Sequence, residues 1–410
     1  MSGILFLAHR VPFPPDRGDK IRSHHVLKAL AELAPVHVGC FAETAADRAA
    51  GADLANLAAT WCMPSRVKPL PVAGLEAIVR GEPVSLTAFR HAELKAWVAH
   101  TLERYPIQTI YVFSGQMGQY VPAAWRGRLV VDLVDVDSSK FEAYARDKAF
   151  PMSWIEAREA RLLRGEEARL AARADRTLLV SDAEAALFVS RLPAASAASV
   201  AVLGNGIDAA AFDPRRVIPH PALAAPGPHF VFTGQMDYKP NVDAALRAIE
   251  RIMPAIRAVH PSAQFHAVGR APAAELLARD GVNGARVWGE VPDVRPFLAA
   301  ADAVLAPLTI ARGVQNKVLE AMAMARPVLA TGAAATGLPG KDGVHFAIAD
   351  SDEALAARAL DLLARREAAE AMGEAARRLV VESASWPAVL ADLPGIVGLI
   401  SRPKARANVA

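Results

Sequence analysis

The sequence predicts an α/β chain with two doubly wound domains, each built on a parallel sheet that helices cover on both faces. Short apolar runs alternate with helical patterns along most of the 410 residues, and this alternation is typical of parallel sheets. A chain of this length also exceeds what one hydrophobic core accommodates. Five prolines between 214 and 228 interrupt both patterns, which indicates a linker.

The predicted strands form two groups of six. The first group is Ile4–Ala8, Val36–Phe41, Thr109–Phe113, Leu129–Leu133, Thr177–Val180 and Val200–Leu203. The second group is His229–Thr233, Gln264–Val268, Arg286–Trp288, Ala303–Ala306, Pro327–Ala330 and His345–Ile348. We therefore expect a first domain over 1–210, a linker over 211–228, a second domain over 229–383, a helix over 384–400 that crosses back to the first domain, and a basic tail over 401–410.

Composition excludes several classes of protein. The 46 basic and 43 acidic residues give a net charge of +3, whereas a nucleic-acid-binding protein has a strong basic excess. Cys40 and Cys62 are the two cysteines, which argues against a disulfide framework and excludes a cysteine-built zinc site. No apolar run is long enough to span a bilayer, and the N-terminus lacks signal-peptide features, so we expect a cytoplasmic protein.

The segment 311–331 is the most informative part of the chain. A polar turn containing Gly313 leads into a helix expected to begin near Gln315, whose free N–H groups form a ready diphosphate site. Lys317 and Glu320 share one face of that helix. The opposite face, Val318, Leu319 and Met322, is expected to pack inward. This combination fits a sugar nucleotide, with the lysine on phosphate and the carboxylate on ribose hydroxyls. The alternative is an ordinary solvated ion pair beside an ordinary turn.

The loop after the first strand, 9–20, is proline-rich and basic. Gly18 precedes a helix expected from about Ile21, so the loop resembles an anion-binding turn, although it lacks the GxGxxG pattern of nicotinamide-binding proteins. Its basic residues, together with the first turn of the helix, are Arg10, Arg17, Lys20 and Arg22. The alternative interpretation is a solvated basic loop.

Three aspartates lie at the end of the fourth strand. We expect Asp132, Asp135 and Asp137 on one face of an extended strand, where they would repel one another if they were buried together. We expect Asp135 or Asp137 at the strand end, where a carboxylate handles an acceptor proton; a metal site is the less favoured interpretation. Helix N-capping by Asp137 or Ser138 is the alternative.

The segment 232–241 opens the second domain. A buried strand ends at Gly234, and Lys239 and Asn241 precede a helix. Lys239 is positioned to neutralise a departing diphosphate, unless it is an ordinary surface lysine.

Together these segments resemble glycosyltransferase family 4, whose members have the GT-B arrangement of two Rossmann-like domains. The segments that carry the resemblance are Gly18, Val180–Asp182, Asn205–Asp208, Phe232–Asn241, Gly289 with Val291, Lys317–Ala323 followed by Pro327 and Val328, and Ser385–Trp386. More narrowly, His9–Lys20 and Arg312–Glu320 are similar to the sugar transferases associated with PEP-CTERM and exosortase exopolysaccharide systems.

The resemblance implies a retaining transfer that needs neither metal nor cofactor. It implies donor-binding roles for Gly18, Gly234, Gln235, Val291, Gly313, Val314, Gln315, Asn316 and Glu320. Catalytic roles are expected for Lys239, Lys317, Asp135 and Asp137, and acceptor-binding roles for Arg10, Arg17, Lys20 and Arg22. Two positions depart from the family: Arg312 stands where a glutamate is usual, and Gln235 where an arginine is usual.

The function expected is transfer from a nucleotide sugar to a glycan or polyprenyl-diphosphate-linked acceptor in exopolysaccharide or other cell-surface polysaccharide synthesis. Ligands of doubly wound sheets bind beyond the carboxyl ends of the strands, so we expect the site in the cleft between the domains, with the acceptor and any peripheral contact with the inner membrane on the first domain. The alternatives are a GT-B epimerase or phosphorylase, and a catalytically inactive protein that binds nucleotide sugars.

Overall fold

The computed structural model describes residues 2–310 and 314–399. It divides into two compact units: residues up to Asn205 together with those from Leu390 onward, and Gly206–Val389. The proline-rich segment 211–228, expected as a linker, lies inside the second unit and contains two short 3₁₀ turns, Pro214–Arg216 and Pro221–Leu223. The predicted α/β fold class is confirmed, since each unit contains one parallel sheet.

The first unit has a seven-stranded parallel sheet of order β3-β2-β1-β4-β5-β6-β7. Its strands are β1 (Gly3–Ala8), β2 (Val36–Gly39), β3 (Thr60–Cys62), β4 (Ile107–Phe113), β5 (Arg128–Val134), β6 (Arg176–Leu179) and β7 (Val200–Val202). All of β1 is buried, as expected for a central strand covered on both faces. The order reverses between β1 and β4, and ligands of such sheets bind at this switch point.

The first 205 residues contain ten α-helices in their described part. They are α1 (Gly18–Leu33), α2 (Ala45–Ala49), α3 (Gly51–Ala55), α4 (Leu70–Arg80), α5 (Val84–Thr87), α6 (Ala92–Arg104), α7 (Asp137–Asp147), α8 (Met152–Arg173), α9 (Asp182–Val189) and α10 (Ala194–Ala197). Ser181 caps α9 by accepting a hydrogen bond from the Glu184 backbone.

Strand β3 is an element that the sequence did not indicate. It has three residues, lies at the edge of the sheet and leaves Trp61 partly exposed. Such a short edge strand lacks the continuous apolar run that identifies a central strand. Both cysteines are buried, Cys62 within β3 and Cys40 after β2.

The second unit has a six-stranded parallel sheet of order β10-β9-β8-β11-β12-β13. Its strands are β8 (His229–Thr233), β9 (Gln264–Val268), β10 (Ala285–Gly289), β11 (Ala303–Ala306), β12 (Val328–Ala330) and β13 (Ala347–Ile348). All six were predicted within two residues at each end. The switch point of this sheet lies between β8 and β11.

The helices of the second unit follow the alternation expected for a doubly wound sheet. They are α11 (Lys239–Arg247), α12 (Met253–Val259), α13 (Ala274–Leu277), α14 (Arg295–Ala300), α15 (Asn316–Ala323), α16 (Gly332–Ala335), α17 (Asp352–Ala364), α18 (Arg366–Ser383) and α19 (Trp386–Val389). A π-helical segment, Ala248–Ile252, joins α11 to α12, and a 3₁₀ turn, Val282–Gly284, precedes β10.

The end of the chain forms two short helices, α19 and α20 (Leu393–Ile396), rather than the single helix expected over 384–400. Pro387 and Pro394 each lie in the first turn of one of them, where proline is tolerated. The α20 segment packs in the first unit: Thr109 Oγ1 donates to the Val397 carbonyl at 2.9 Å, and Arg128 Nε donates to the Ile396 carbonyl at 2.6 Å. Residue 400 and the predicted tail 401–410 lie outside the described residues.

Candidate active site

The switch point of the second sheet brings two loops together. One loop leads from β8 to α11 and the other from β11 to α15. Lys317 Nζ, in the first turn of α15, donates a hydrogen bond to Asn241 Oδ1 in the first turn of α11. The same ammonium lies 4.7 Å from the centroid of the Phe232 ring in β8. Lys317 is therefore fixed at the carboxyl edge of the sheet, where doubly wound folds bind their ligands.

Helix α15 forms as the sequence predicts. Gln315 occupies the N-cap position and the helix begins at Asn316. Val318, Leu319 and Met322 are buried in the core of the unit, so Lys317 and Glu320 project from the other side. The first N–H groups of α15 therefore open toward the same edge as the ammonium of Lys317.

The charges of Lys317 and Glu320 are poorly compensated. Burial lowers the pKa of Lys317 to about 8, although the neighbouring Glu320 favours its charged form. Burial raises the pKa of Glu320 to about 7, although Lys317 favours the carboxylate. Within residues 2–310 and 314–399, no carboxylate forms an ion pair with Lys317, and the carboxylate of Glu320 accepts no hydrogen bond. Desolvated charges of this kind are characteristic of binding and catalytic sites.

The backbone beyond β8 and β9 is closely packed. A Cβ atom on Gly269 would lie 1.6 Å from the carbonyl oxygen of Gly234, so only glycine fits at 269. A Cβ on Gly234 would lie 3.1 Å from Lys317 Nζ. These two glycines allow the loops to approach each other and the lysine, and Gly234 is thereby among the residues that line this edge.

Arg270 follows Gly269 and was not singled out by its sequence pattern. Its Nη2 atom donates to Gln235 Oε1 at 3.1 Å, and both side chains are exposed. Gln235 stands where the related family usually has an arginine. The guanidinium of Arg270, from the loop after β9, therefore contacts the Gln235 side chain that stands in place of that arginine. A lone arginine after a strand carries no motif, so only the topology reveals this neighbour.

Lys239 differs from Lys317 in its environment. It is the first residue of α11 and is exposed, and its Nζ lies 2.6 Å from Asp243 Oδ1 and 3.6 Å from Glu275 Oε1. The structure thus gives Lys239 two carboxylate partners on the surface. Its role in diphosphate binding stays a prediction.

Gly18, also predicted to bind the donor, begins α1 in the first unit. The other described donor-binding candidates belong to the second unit. Val291 follows β10 and packs partly buried against the core. Val314 and Asn316 are exposed beside Gln315 at the start of α15. Gly313 and Arg312 lie outside the described residues.

In the first unit, Arg22 is buried rather than displayed on a basic loop. Its guanidinium donates two hydrogen bonds to Asp132, at 3.1 and 3.0 Å, and a further one to the Gly204 carbonyl at 2.8 Å. Tyr111 donates to the same carboxylate at 2.8 Å. Arg22 is 1% exposed and Asp132 is fully buried. Their charges are satisfied inside the unit.

Lys20 is also buried, and its ammonium lies 2.6 Å from Asp47 Oδ1. The expectation of an open loop with four basic side chains is therefore wrong in its placement of Lys20 and Arg22. Both lie on α1, which begins at Gly18 rather than near Ile21 and so turns these side chains inward.

The two other basic residues remain nearer the surface. Arg10 is partly exposed and forms ion pairs with Asp19 at 2.6 Å and Glu43 at 2.9 Å. The side chain of Arg17 is 47% exposed, and its closest carboxylate contact is 3.9 Å to Asp16. Among the four predicted acceptor-binding cations, Arg17 has the weakest internal pairing.

The three aspartates at the end of β5, Asp132, Asp135 and Asp137, do not share a face, so the expectation of a common face is wrong. Strand β5 ends at Val134, whose positive φ of 70° turns the chain, so Asp132 points into the core while Asp135 and Asp137 reach the surface. Lys140 Nζ lies 2.8 Å from Asp135 Oδ2 and 3.1 Å from Asp137 Oδ1. In the described part of the chain, no group of three or more potential ligands could hold a metal ion.

His9 is a further polar residue at the carboxyl edge of the first sheet. It follows β1, is 8% exposed, and its Nε2 lies 3.2 Å from Asp19 Oδ2. Its ring stacks on Phe113, with centroids 5.9 Å apart. The sequence feature that could have identified His9 as a site residue is its position as the first polar residue after a buried strand.

Comparison with known proteins bears on the second unit most directly. Residues 227–365 match the family model described as glycosyl transferases group 1. This segment is therefore similar to the domain of group 1 glycosyltransferases. Among curated proteins, no sequence matches the chain.

Solved structures match the whole chain in fold. HepE of Anabaena, in complex with UDP and glucose, is 17% identical with a TM-score of 0.61, over 97% of this chain and 100% of that one. WaaG, a glycosyltransferase involved in lipopolysaccharide biosynthesis, is 18% identical with a TM-score of 0.58, over 96% and 100%. Sucrose-phosphate synthase of Thermosynechococcus elongatus is 17% identical with a TM-score of 0.60, over 97% and 98%. The predicted GT-B fold class is confirmed.

The segment that matches the family model thus contains Lys317, Glu320 and the start of α15 at the switch point of its sheet. Chemically, the arrangement offers an ammonium and the positive end of the α15 dipole to an anion, and a carboxylate to a hydroxyl. None of the helices in the described residues has the length and apolarity required to cross a bilayer.

Proposed function

We propose that this protein is a glycosyltransferase that uses a nucleoside diphosphate sugar as donor, bound by the group 1 domain. The observation that carries the proposal is the pair Lys317 and Glu320 beside the N-terminus of α15, both partly buried and without ionic partners among the described residues. A cation and an anion that are poorly solvated in the free protein are stabilised when a ligand of complementary charge binds, and this favours binding.

In this proposal the diphosphate lies against the first turn of α15 and Lys317. The N–H groups and the ammonium stabilise the negative charge that grows on the diphosphate as the sugar departs. Arg270, which contacts Gln235, supplies a second positive charge from the loop after β9. Glu320 accepts hydrogen bonds from the ribose hydroxyls, since an ionised carboxylate acts only as an acceptor.

We further propose a retaining, metal-independent transfer to a glycan or polyprenyl-diphosphate-linked acceptor in exopolysaccharide or cell-surface polysaccharide synthesis. The sequence resemblance to family 4 and to the PEP-CTERM-associated transferases supports this proposal. The acceptor is assigned to the first unit, where Arg17 is exposed and His9 and Arg10 lie after β1. Asp135 and Asp137 remain candidates for handling the acceptor proton. If the leaving phosphate takes that proton, no strong protein base is required.

Two measurements test the proposal. A thermal-shift screen of UDP, GDP, ADP and their sugars identifies the donor, because a ligand at one hundred times its dissociation constant stabilises the folded state by about 2.7 kcal/mol. The donor found in this way is then incubated with lipid-linked glycan acceptors, and release of the nucleoside diphosphate is followed.

Glu320→Gln is the test variant in both measurements, and Glu275→Gln, at an exposed carboxylate of the same unit, is the matched control. A shift with wild type and a smaller shift with the variant support the donor site. Absence of any nucleotide-dependent shift contradicts it, and binding without turnover on any acceptor favours a protein that only binds nucleotide sugars.

A further inference from the structure

Helix α4 in the first unit carries its large aliphatic side chains on the outside. Val72, Leu75, Ile78 and Val79 are 54% to 79% exposed, and we call these four residues the apolar ridge. Ala73 and Ala77, by contrast, are the residues that the helix buries. A surface helix of a globular protein normally has the opposite arrangement, with its large apolar residues in the core. Alanines suffice to pack α4 onto the unit, so the ridge is not needed to hold the helix in place.

A second exposed apolar group lies at the start of α8. Phe150, Met152, Trp154 and Ile155 form this group, which we call the α8 corner, with Phe150 82% and Trp154 59% exposed. An aromatic ring with a polar N–H, such as that of Trp154, is favoured where an apolar phase meets water.

The ridge and the corner belong to one surface. Arg158, one turn beyond Trp154, donates to the Ala77 carbonyl of α4 at 2.9 Å and to the Glu82 carbonyl at 3.2 Å. Glu159 accepts hydrogen bonds from the backbone of Val84 and Ser85 at 2.7 and 2.8 Å. The first turns of α8 are therefore fixed against the end of α4. Exposed apolar area of this extent is uncommon on a monomeric protein and marks a binding surface.

Three arginines near the corner form no ion pair with any described residue. Arg146 of α7 and Arg161 and Arg164 of α8 are exposed and line a common depression between the two helices. In the described part of the chain none of them forms an ion pair, whereas the neighbouring Lys148 pairs with Glu156 and Arg169 with Glu166. The one carboxylate that lines the depression, Glu142, pairs with Arg191 instead.

The carboxylates close to the ridge are neutralised. Glu76 contacts Lys68 at 2.8 Å and Arg80 at 3.1 Å, and Glu82 contacts Arg90 at 2.6 Å. The surface therefore combines apolar side chains with an excess of positive charge. A helix that presents aliphatic and aromatic residues with flanking arginines has the composition of elements that lie in the headgroup region of a bilayer.

We propose that the first unit docks on a lipid bilayer with anionic headgroups, inserting the apolar ridge and the α8 corner while Arg146, Arg161 and Arg164 contact the headgroups. The charge excess selects this occupant, since a lipid phosphate is complementary to arginines that form no ion pair within residues 2–310 and 314–399. The docking surface does not depend on the proposed transferase activity and is placed on other residues than the loop 9–20.

The experiment is co-sedimentation of the full-length chain with phosphatidylcholine vesicles, with and without phosphatidylglycerol. Binding is expected only with phosphatidylglycerol and is expected to weaken as salt screens the arginines. Removing Arg161 and Arg164 by substitution with alanine should reduce the partition coefficient by about fivefold for each arginine. The double variant Leu75→Glu/Ile78→Glu should reduce it by more than about tenfold, because these apolar side chains no longer enter the bilayer.

Matched controls come from exposed residues of the second unit. Val259→Glu/Leu277→Glu adds the same charges at exposed apolar positions, and Arg366→Ala/Arg378→Ala removes two exposed arginines. Both controls should bind vesicles within about twofold of wild type, apart from the modest general effect of net charge.

Far-ultraviolet circular dichroism confirms that each variant is folded. The proposal is overturned if the ridge and arginine variants sediment like their controls, or if vesicles without anionic lipid bind equally well. It is also overturned if the ridge variants change only the oligomeric state in light scattering, because the surface would then join two copies of the chain.

Discussion

The two units each hold a cation and a carboxylate near the carboxyl edge of a parallel sheet, but in different states. In the first unit, two hydrogen bonds join Arg22 to Asp132. Arg22 also donates to Gly204 and Asn205, and Tyr111 donates to Asp132. In the second unit, Lys317 and Glu320 share a helix face without forming an ion pair. Burial lowers the pKa of Lys317 and raises the pKa of Glu320, so it favours the neutral form of each.

The difference separates a structural role from a binding role. A fully satisfied buried pair holds strands and helices in register, and removing one partner leaves an uncompensated charge. A desolvated cation and carboxylate that form no ion pair with the described residues instead destabilise the free protein slightly and are stabilised by a ligand. Stability and ligand binding should therefore respond in opposite ways to substitutions in the two clusters.

The largest effect is expected in the first unit. Arg22→Met leaves the buried carboxylate of Asp132 with Tyr111 alone, and loss of one partner of a buried pair costs about 3–5 kcal/mol. Urea unfolding monitored by circular dichroism measures this loss. The double variant Arg22→Met/Asp132→Leu should recover much of it, because no buried charge remains. If Arg22→Met unfolds at the urea concentration of wild type, the pair is not structural.

In the second unit, Lys317→Met is expected to reduce sugar transfer by about 100-fold or more, as the loss of a positioned transition-state donor does. Its melting temperature should not fall, because burial disfavours the charge that the substitution removes. That destabilising contribution is present at pH values below the folded pKa of about 8. Initial rates at saturating donor, with thermal unfolding of the same preparations, check both parts. A large loss of stability would assign Lys317 to the structure instead.

Glu320→Gln keeps the shape of the side chain and removes its charge. It should weaken binding of the nucleoside diphosphate by about 1.5–3 kcal/mol, the range for hydrogen bonds to charged groups. Isothermal titration calorimetry of the two proteins measures this difference. Equal dissociation constants would exclude a ribose contact. Glu275→Gln, at an exposed carboxylate of the same unit, is the matched control.

The pH dependence of donor binding follows from the same two residues. Glu320 becomes ionised as the pH rises through about 7, and Lys317 loses its charge as the pH rises through about 8. Affinity should therefore be highest between these values and fall several-fold on either side, with apparent pKa values that belong to the coupled pair.

Titrations of the nucleotide from pH 6 to 9 separate the two sides of this profile. Glu320→Gln should lose the acidic limb and Lys317→Met the alkaline limb, while the ionisation of the nucleotide itself affects all three proteins equally. A profile that keeps both limbs in both variants would mean that other groups control binding.

The fold was largely predictable because central parallel strands are continuous apolar runs. The helix at Asn316 was predictable because its apolar residues recur on one face. Strand β3 was not, since an edge strand of three residues with an exposed Trp61 has no such signature. The two prolines that divide the C-terminal segment were visible, but which short helices they leave depends on packing against β4 and β5.

The site was predictable only where it is local in sequence. Lys317 and Glu320 lie within one helical turn, so their common face follows from periodicity. Burial of Lys20 and Arg22 depends on Asp47 and Asp132, which lie 27 and 110 residues away. Arg270 reaches Gln235 only because β8 and β9 are neighbours. The apolar ridge of α4 was missed because periodicity does not say which face of a helix is outside.

The smallest effect is expected at Lys239, and it sharpens the comparison within the second unit. Its ammonium is exposed and already contacts Asp243 and Glu275, so a donor would have to compete with these carboxylates and with solvent. The sequence alone predicts equal importance for Lys239 and Lys317, whereas their environments predict a difference. Lys239→Ala should change kcat/KM for transfer by less than about fivefold, since exposed ion pairs contribute little. A loss as large as that of Lys317→Met would mean that Lys239 leaves its surface partners to bind the donor, and that burial in the free protein is a poor guide to which cation acts.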